Sequence, residues 1–426
     1  MTATIGIDFG TTNSVLAVLD EQGRSHSLTF GSHDVFRSVL CFWAEQQGVG
    51  TTLRHAAGPP AIAAYLDDPL DSRLIMSMKT YLAQRSFTET RVFGRRYTLE
   101  MLIATFLRAL LAASGLNPAK ARIVAGRPVR FAGEFPDHEL GETRLRAAFA
   151  EAGLPDLEMA LEPEGAGYRF ARTLSEPATV LIGDFGGGTS DFSLLRFTPG
   201  TSSTGANGGV VALGHSGIGI AGDVFDYRII DRVISPLLGK GDTYQVMGTD
   251  LPVPPEYFSA FARWHRLSLM RTPRTLRAIE EVARASAHPE RLRGLIALID
   301  QELGYQLYQT VSSVKAALSR QDAAVLSFHH AGLNIDATVT RADFESWIAD
   351  DLAQLDATID RVLEQAALPA GAVDHVFLTG GTSFVPAVRA LFDRRFGREQ
   401  VQSGGEFVSV AEGLALIGRD RSPRAA

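Results

Sequence analysis

Residues 5–18 read IGIDFGTTNSVLAV, and residues 180–195 read VLIGDFGGGTSDFSLL. Each is an apolar run, then Asp-Phe-Gly, then small hydroxyl or glycine residues, then a second apolar run. The pattern predicts strand, tight turn and returning strand, built twice. Asp8 and Asp184 occupy the same place in the two copies, 176 residues apart.

The turns carry a specific chemistry. Glycine after a strand lets backbone N–H groups approach a phosphate without a Cβ in the way, and successive N–H groups form an anion-binding nest. Gly10, Thr11, Thr12 and Asn13 supply the first turn; Gly186, Gly187, Gly188 and Thr189 supply the second. Hydrogen bonds to charged groups contribute about 1.5–3 kcal/mol each, so several converging donors would hold a phosphate chain. Carboxylates beside phosphate repel it unless a cation intervenes. Mg²⁺ favours one or two carboxylates, retained waters and phosphate oxygens, so Asp8 and Asp184 are read as holding its water shell. Two facing turns would then clamp a metal-bound phosphate chain. The competing reading, that each Asp-Phe-Gly only tightens its own hairpin, weakens because the motif occurs twice behind an apolar strand. No His-Arg-Asp loop of the protein-kinase kind precedes either copy, and no Walker A pattern occurs.

The composition is that of a soluble globular chain: 426 residues, 45% hydrophobic and 21% charged, enough for two or three folding units. A net charge of -7 argues against general affinity for nucleic acid or anionic membrane. The one cysteine, Cys41, lies in the apolar run SVLCFW and reads as a buried thiol. The start, MTATIGIDFG, lacks the features of a signal peptide, and no apolar run is long enough to span a membrane. The expectation is a cytoplasmic protein. Of 41 basic residues only Lys79, Lys120, Lys240 and Lys315 are lysine.

Along the chain, residues 98–115 predict an amphipathic helix stopped by Gly115. ARIVAGRPV predicts a strand, GETRLRAAFAEAG a helix, and LEMALEPEGAGYRFARTL a strand leading into a helix. TPGTSSTGANGG reads as a flexible hairpin loop, VVALGHS as a strand and VFDYRIIDRVISPLLG as a helix. Residues 256–320 read as mostly helical, and the end, GRDRSPRAA, as disordered.

At this point the chain resembles the heat-shock 70 kDa (DnaK) family of the actin and sugar-kinase superfamily. The two Asp-Phe-Gly stretches resemble that family's phosphate motifs, and VFLTGGTSFVPAVRALF (376–392) resembles its adenosine motif. The similarity covers residues 1–418, the ATPase part. It is nearest the shortened YegD-type branch, without a peptide-binding domain. The resemblance implies an α/β, two-lobed actin-like ATPase fold: duplicated RNase H-like domains with inserted subdomains. Lobe I would be 1–173 with an insertion at about 31–98, and lobe II 174–400 with an insertion at about 223–330. Residues 401–418 would return to lobe I, and 419–426 would form a tail.

The resemblance also implies roles. MSMKTYLA nominates Lys79 to reach the terminal phosphate and attacking water, with a plain surface lysine as the competing reading. LEPEGAGY nominates Glu162 to order a metal-bound water and couple the lobes, against a helix-capping role. Asp191 matches a carboxylate near the metal, or else stabilises its own turn. GIGIAGD (217–223) also spells a dinucleotide fingerprint, with Asp242 at the right distance. The following LLGKGDTY does not look like the parallel strand that reading needs, so Gly222 and Asp223 are read as phosphate and ribose contacts. Lys315 and Ser319 would line the adenine side, with Gly380, Gly381, Thr382 and Phe384. Two departures stand out: Ser312 replaces an acid, and Phe384 replaces an arginine that stacks on adenine. An aromatic ring can also stack on a base.

The reading expected is a Mg²⁺-dependent, slow ATP hydrolase whose lobe closure acts as a chaperone-like switch. Its cofactors would be ATP/ADP and Mg²⁺, and its output would pass through lobe surfaces to a separate protein partner. The Arg-rich stretch near 263–294 is either a solvated helical surface or a place where such a partner docks. The alternatives are a small-molecule phosphotransferase, which needs a general base beside an acceptor pocket, and a non-catalytic actin-like scaffold.

Overall fold

The computed structural model describes residues 3–20, 22–31, 33–47, 50–133, 135–171, 174–198, 210–330, 332–403 and 409–421. Those residues form two compact units. The first comprises residues 1–221 and 353–426, and the second residues 222–352.

The first unit contains one sheet plan used twice. In the first sheet, β1 (Ala3–Phe9), β2 (Asn13–Leu19) and β3 (Ser25–Ser27) run antiparallel in sequence. On the other side of β1, β4 (Ala121–Arg127) and then β5 (Glu158–Leu161) join in parallel, giving the order β5-β4-β1-β2-β3. The second sheet repeats this with β6 (Ala178–Phe185), β7 (Ser190–Phe197) and β8 (Val210–Ile218), then β9 (His375–Thr379) and β10 (Val401–Ser403). Its order is β8-β7-β6-β9-β10, with the same sequence of antiparallel and parallel pairings. The duplication read in two short stretches therefore extends to a shared five-strand order; the first sheet adds a short sixth strand, Phe36–Arg37, beside β2.

Strand alternation explains why Asp-Phe-Gly recurs. Neighbouring residues point to opposite faces, so burying the phenylalanine turns the aspartate the other way. Phe9 and Phe185 are each 1% exposed. Phe9 packs on Phe106 of helix α1 (Leu99–Ser114), with ring centroids 5.6 Å apart. Phe185 packs on Phe192 of β7 at 5.7 Å and on Phe392 at 6.0 Å. Burying each such ring contributes about 1.5–3 kcal/mol. Helix α1 begins at Thr98, whose side chain accepts from Met101 N, and stops at left-handed Gly115, as its sequence predicts.

Three further helices place the site. These are α2 (His138–Glu151), α3 (Glu162–Ala171) and α5 (Ser409–Asp420); α4 (Pro386–Phe396) follows β9 and carries Phe392. Helices α3 and α5 cross with their backbones in contact: a Cβ on Gly413 would lie 1.6 Å from Gly165 O. α5 also lies against β1, where a Cβ on Gly6 would meet Ala411 O at 2.0 Å. These glycines are steric necessities of the crossing. α5 runs through Asp420, so Gly418–Asp420 are helical where the sequence suggests a disordered end. The loop 199–209 lies outside the described residues. Cys41 is buried and free.

The second unit is built on helices spanning 222–237, 256–270, 273–285, 289–300 and 304–318. It adds two antiparallel hairpins, Thr243–Val246 with Thr249–Pro252 and Ala323–His330 with Leu333–Thr340. The first of these hairpins follows Asp242 and is antiparallel, so no second parallel strand ends at that acid. Asp242 instead pairs with Arg291 at 2.9 Å. Arg271, Arg284 and Arg293 of the Arg-rich stretch also sit in ion pairs. No helix among the described residues is long and apolar enough to cross a membrane.

Candidate functional site

Matching registers set the two turns. Asp8 pairs with Val15 and Phe9 with Ser14, closing over residues 10–13. Asp184 pairs with Asp191 and Phe185 with Ser190, closing over residues 186–189, where Gly186 N donates to Thr189 O at 2.9 Å. The turns approach each other. A Cβ placed on Gly188 would lie 3.6 Å from Thr11 Oγ1 and 3.7 Å from Thr80 Oγ1. Asn13 turns aside: its side-chain oxygen accepts from Arg37 at 3.0 Å.

A buried ion pair sits with them. Lys79, on the short 3₁₀ helix Met78–Tyr81, donates to Glu162 Oε1 at 2.5 Å. The two residues are 8% and 5% exposed. Lys79 is thus not a surface lysine. Glu162 opens α3, but the local reach-back bond there is made by Glu164, which accepts from Leu161 N at 3.3 Å. That leaves Glu162 free of a capping task. Gly126, at the end of β4, makes room for it: a Cβ there would come within 2.9 Å of Glu162 Cγ.

Charge dominates the site. Burial and the Glu162 charge push Asp8 up to about 7, with Lys79 opposing. Burial pushes Asp191 to about 7, and Asp184 well above its ordinary range, each with Glu162 adding to the effect. Burial disfavours the Lys79 ammonium, but the charges of Glu162 and Asp8 outweigh it and its pKa is raised. Asp8 and Asp184 retain partial exposure, while Asp191 is 1% exposed. Asp191 accepts from Arg130 N at 3.2 Å and from the Thr189 hydroxyl, so it both braces its turn and adds to the cluster.

Four acidic side chains thus share one buried lysine. Such a set is short of positive charge, and its hard oxygen donors suit Mg²⁺. No group of three or more His, Cys, Asp or Glu among the described residues is spaced to hold a metal directly. A cation reached through water, by Asp8 and Asp184, fits this arrangement.

The remaining nominated residues divide between the units. Gly380, Gly381, Thr382 and Phe384 lie in the first. Gly380 has φ +86°, and a Cβ on it would meet Phe185 O at 2.0 Å, so the turn after β9 docks onto the second Asp-Phe-Gly. Thr382 is buried, whereas Phe384 is 47% exposed. Gly222, Asp223, Lys315 and Ser319 lie in the second unit. There Lys315 donates to Gly222 O at 2.9 Å and to Asp226 at 2.8 Å, and Ser319 Oγ donates to Lys315 O. Asp226, 2% exposed, is raised to about 6 by burial, with Lys315 opposing.

Sequence reading missed Thr80, Arg130 and Asp226. Thr80 adjoins Lys79 and was findable on that ground. Arg130 contributes a backbone N–H, which no side-chain pattern encodes.

Comparison with known proteins agrees with this architecture. The family model described as Hsp70 protein matches residues 295–425. The Chaperone protein DnaK of Deinococcus radiodurans is 25% identical over 427 residues, covering 98% of this chain and 59% of that protein. The Chaperone protein HscA homolog of Tolumonas auensis is 26% identical, covering 97% of this chain and 57% of that protein. DnaK of Deinococcus deserti is 25% identical with 98% and 59% covered. The chain is thus similar to Hsp70-family proteins along nearly its whole length. Its α/β architecture is accordingly the actin-like ATPase fold, and the twin sheets are that fold's duplicated cores. The chain spans about three-fifths of the length of these curated relatives. Within the Hsp70 frame, Asp8 and Asp184 mark equivalent strand ends of the two cores.

Proposed function

We propose that this chain binds ATP with Mg²⁺ and hydrolyses it slowly, as a chaperone-type switch working in the cytoplasm. The observation that carries the reading is the meeting of two facing turns around four acidic side chains and one buried lysine. Backbone N–H groups of residues 10–12 and 186–189 would bind phosphate oxygens, assisted by the Thr11 and Thr189 hydroxyls. A divalent cation held through water by Asp8 and Asp184 would neutralise charge on the phosphates.

Lys79 then has two anionic partners to choose between. In the free protein its Nζ is bound by Glu162; with a triphosphate present it would share that contact with the terminal phosphate. Glu162, relieved of part of its pairing, would accept a proton or hydrogen bond from the attacking water. Asp191 and Thr189 would hold that water's orientation from the second turn. Catalysis of this kind rests on positioning and charge rather than covalent chemistry. Gly380 and exposed Phe384 would support the base side. Bound triphosphate would draw the lobes together, and a protein partner would read the change from their surfaces.

The test is ATP hydrolysis and ATP affinity, with and without Mg²⁺, for wild type and Lys79→Ala. The expected result is Mg²⁺-dependent turnover that falls about 10²–10³-fold in the variant, with affinity changed only several-fold. Equal turnover in both proteins removes Lys79 from the chemistry.

A further inference from the structure

The residues that hold Lys79 in place have no counterpart in the reading above. Lys79 and Thr80 lie on a single turn, entered through Ser77 at φ +53°, a left-handed conformation that costs a serine free energy. The turn runs on into residues 82–87, which belong to no named strand or helix. A segment of this kind needs partners for its buried carbonyls. One side chain supplies most of them. Arg144, in the middle of α2, donates Nη1 to Gln84 O at 3.1 Å and Leu82 O at 3.3 Å, with Tyr81 O at 3.5 Å. Its Nη2 donates to Phe87 O at 2.8 Å. Glu100 of α1 faces its Nε at 3.3 Å, and the side chain is 14% exposed.

Other bonds join the same segment to the start of α2. Asp137, the N-cap residue, donates its N–H to Ala83 O at 3.0 Å and accepts from Arg85 at 2.8 Å. Gln84 Nε2 closes back on Thr80 O at 3.0 Å. The turn bearing Lys79 is therefore tethered to α2, and α2 to α1 through Glu100. We propose that Arg144 is a positioning residue for the phosphate chemistry: its guanidinium fork fixes the turn that presents Lys79 to Glu162 and Thr80 to Gly188. The fork matters more than the charge. Its donors point in fixed, divergent directions, and a lysine ammonium reaches fewer acceptors from a flexible stem.

The inference rests on the ATPase reading, so the experiment has an arm that does not use ATP. The variants are Arg144→Lys and Arg144→Met. Arg146→Met serves as control, an exposed residue on the same helix paired with Glu142. In nucleotide-free protein, each lysine's rate of acetylation by acetic anhydride is read by mass spectrometry, with Lys315 as internal reference. Lys79 should be modified at least about tenfold faster in both Arg144 variants and unchanged in the control. In the turnover arm, kcat should fall about tenfold or more with KM for ATP within about threefold, since a displacement near 1 Å can cost that much or more. Lysine at 144 should not restore it. Folded variants with wild-type Lys79 labelling overturn the proposal, as does unchanged kcat in an active protein. Failure of both variants to fold also overturns it, by making Arg144 a general structural anchor. A wild type without hydrolysis, but with the labelling shift present, sinks the ATPase reading and leaves the tether standing.

Discussion

The two Asp-Phe-Gly hairpins share strand register, turn length and a buried phenylalanine, yet they differ in the residue paired with the aspartate. Opposite Asp8 stands Val15, 1% exposed and packed with Ala17, Val35 and Ala411. Opposite Asp184 stands Asp191, also 1% exposed, held by a backbone N–H and a threonine hydroxyl. The first hairpin therefore spends its second strand on packing α5, and the second spends the same position on charge. Duplication supplied the scaffold; the chemistry lies in how the copies diverged. Lys79 and Glu162 belong to neither hairpin and enter from chain segments between them.

The sharpest way to break this comparison is to exchange the divergent residues. Val15→Asp buries a carboxylate with no donor to meet it. It should destabilise the protein by about 3–5 kcal/mol, read as a lowered urea midpoint at pH 7.5. Asp191→Val should cost less, about 1–3 kcal/mol, because it removes a costly buried carboxyl but leaves the Arg130 N–H and Thr189 hydroxyl without that acceptor, while turnover drops at least about tenfold. Equal stability losses in the two variants would mean that the hairpins are not specialised as argued.

A smaller effect follows from pH. Asp191 sits near 7 in the folded protein against an ordinary 3.8. Between those values the native state keeps a proton that the unfolded chain has released. The associated stability is complete below the unfolded value and disappears as pH rises through about 7. Metal-free protein should therefore lose thermal stability between pH 5 and pH 8, with a ceiling of about 4 kcal/mol for this group. Asp191→Asn should flatten that slope, and Mg²⁺ with ATP should stabilise wild type more at pH 8 than at pH 5.5. A metal-free Tm that climbs across this range would contradict the charge balance described.

How much of this was legible beforehand follows from the range of each signal. The hairpins are local objects, so strand alternation and turn residues suffice to read them, and the duplication then follows. The glycine stop of α1 is equally local. The Lys79–Glu162 pair joins segments 83 residues apart, and nothing within MSMKTYLA or LEPEGAGY encodes the other. The family resemblance nominated both residues but not their contact. Lys315 shows the same limit: helical spacing puts it with Ser312 and Ser319, but its hold on Asp226 comes from another helix. The hairpin at 243–252 escaped notice because almost every residue in it is exposed, leaving no apolar alternation to read.

The finest test of the paired turns uses their glycines, which look alike in sequence and differ in surroundings. A Cβ on Gly10 would fall 2.2 Å from Asn13 O, a backbone atom within the same turn. On Gly186, its counterpart, the nearest atom is Thr189 O at 3.3 Å, and on Gly188 it is Thr11 Oγ1 at 3.6 Å. Gly10→Ala should therefore strain the first turn by about 1–3 kcal/mol. Gly188→Ala should fold within about 0.5 kcal/mol of wild type, because its methyl meets only ordinary contact distances. That methyl nevertheless points at Thr11 and Thr80, into the space assigned to phosphate. ATP affinity should fall about tenfold, equivalent to losing one hydrogen bond to a charged group, and tripolyphosphate should lose affinity in parallel. If Gly188→Ala binds both ligands as wild type does, the phosphates sit elsewhere and the facing turns are architecture alone.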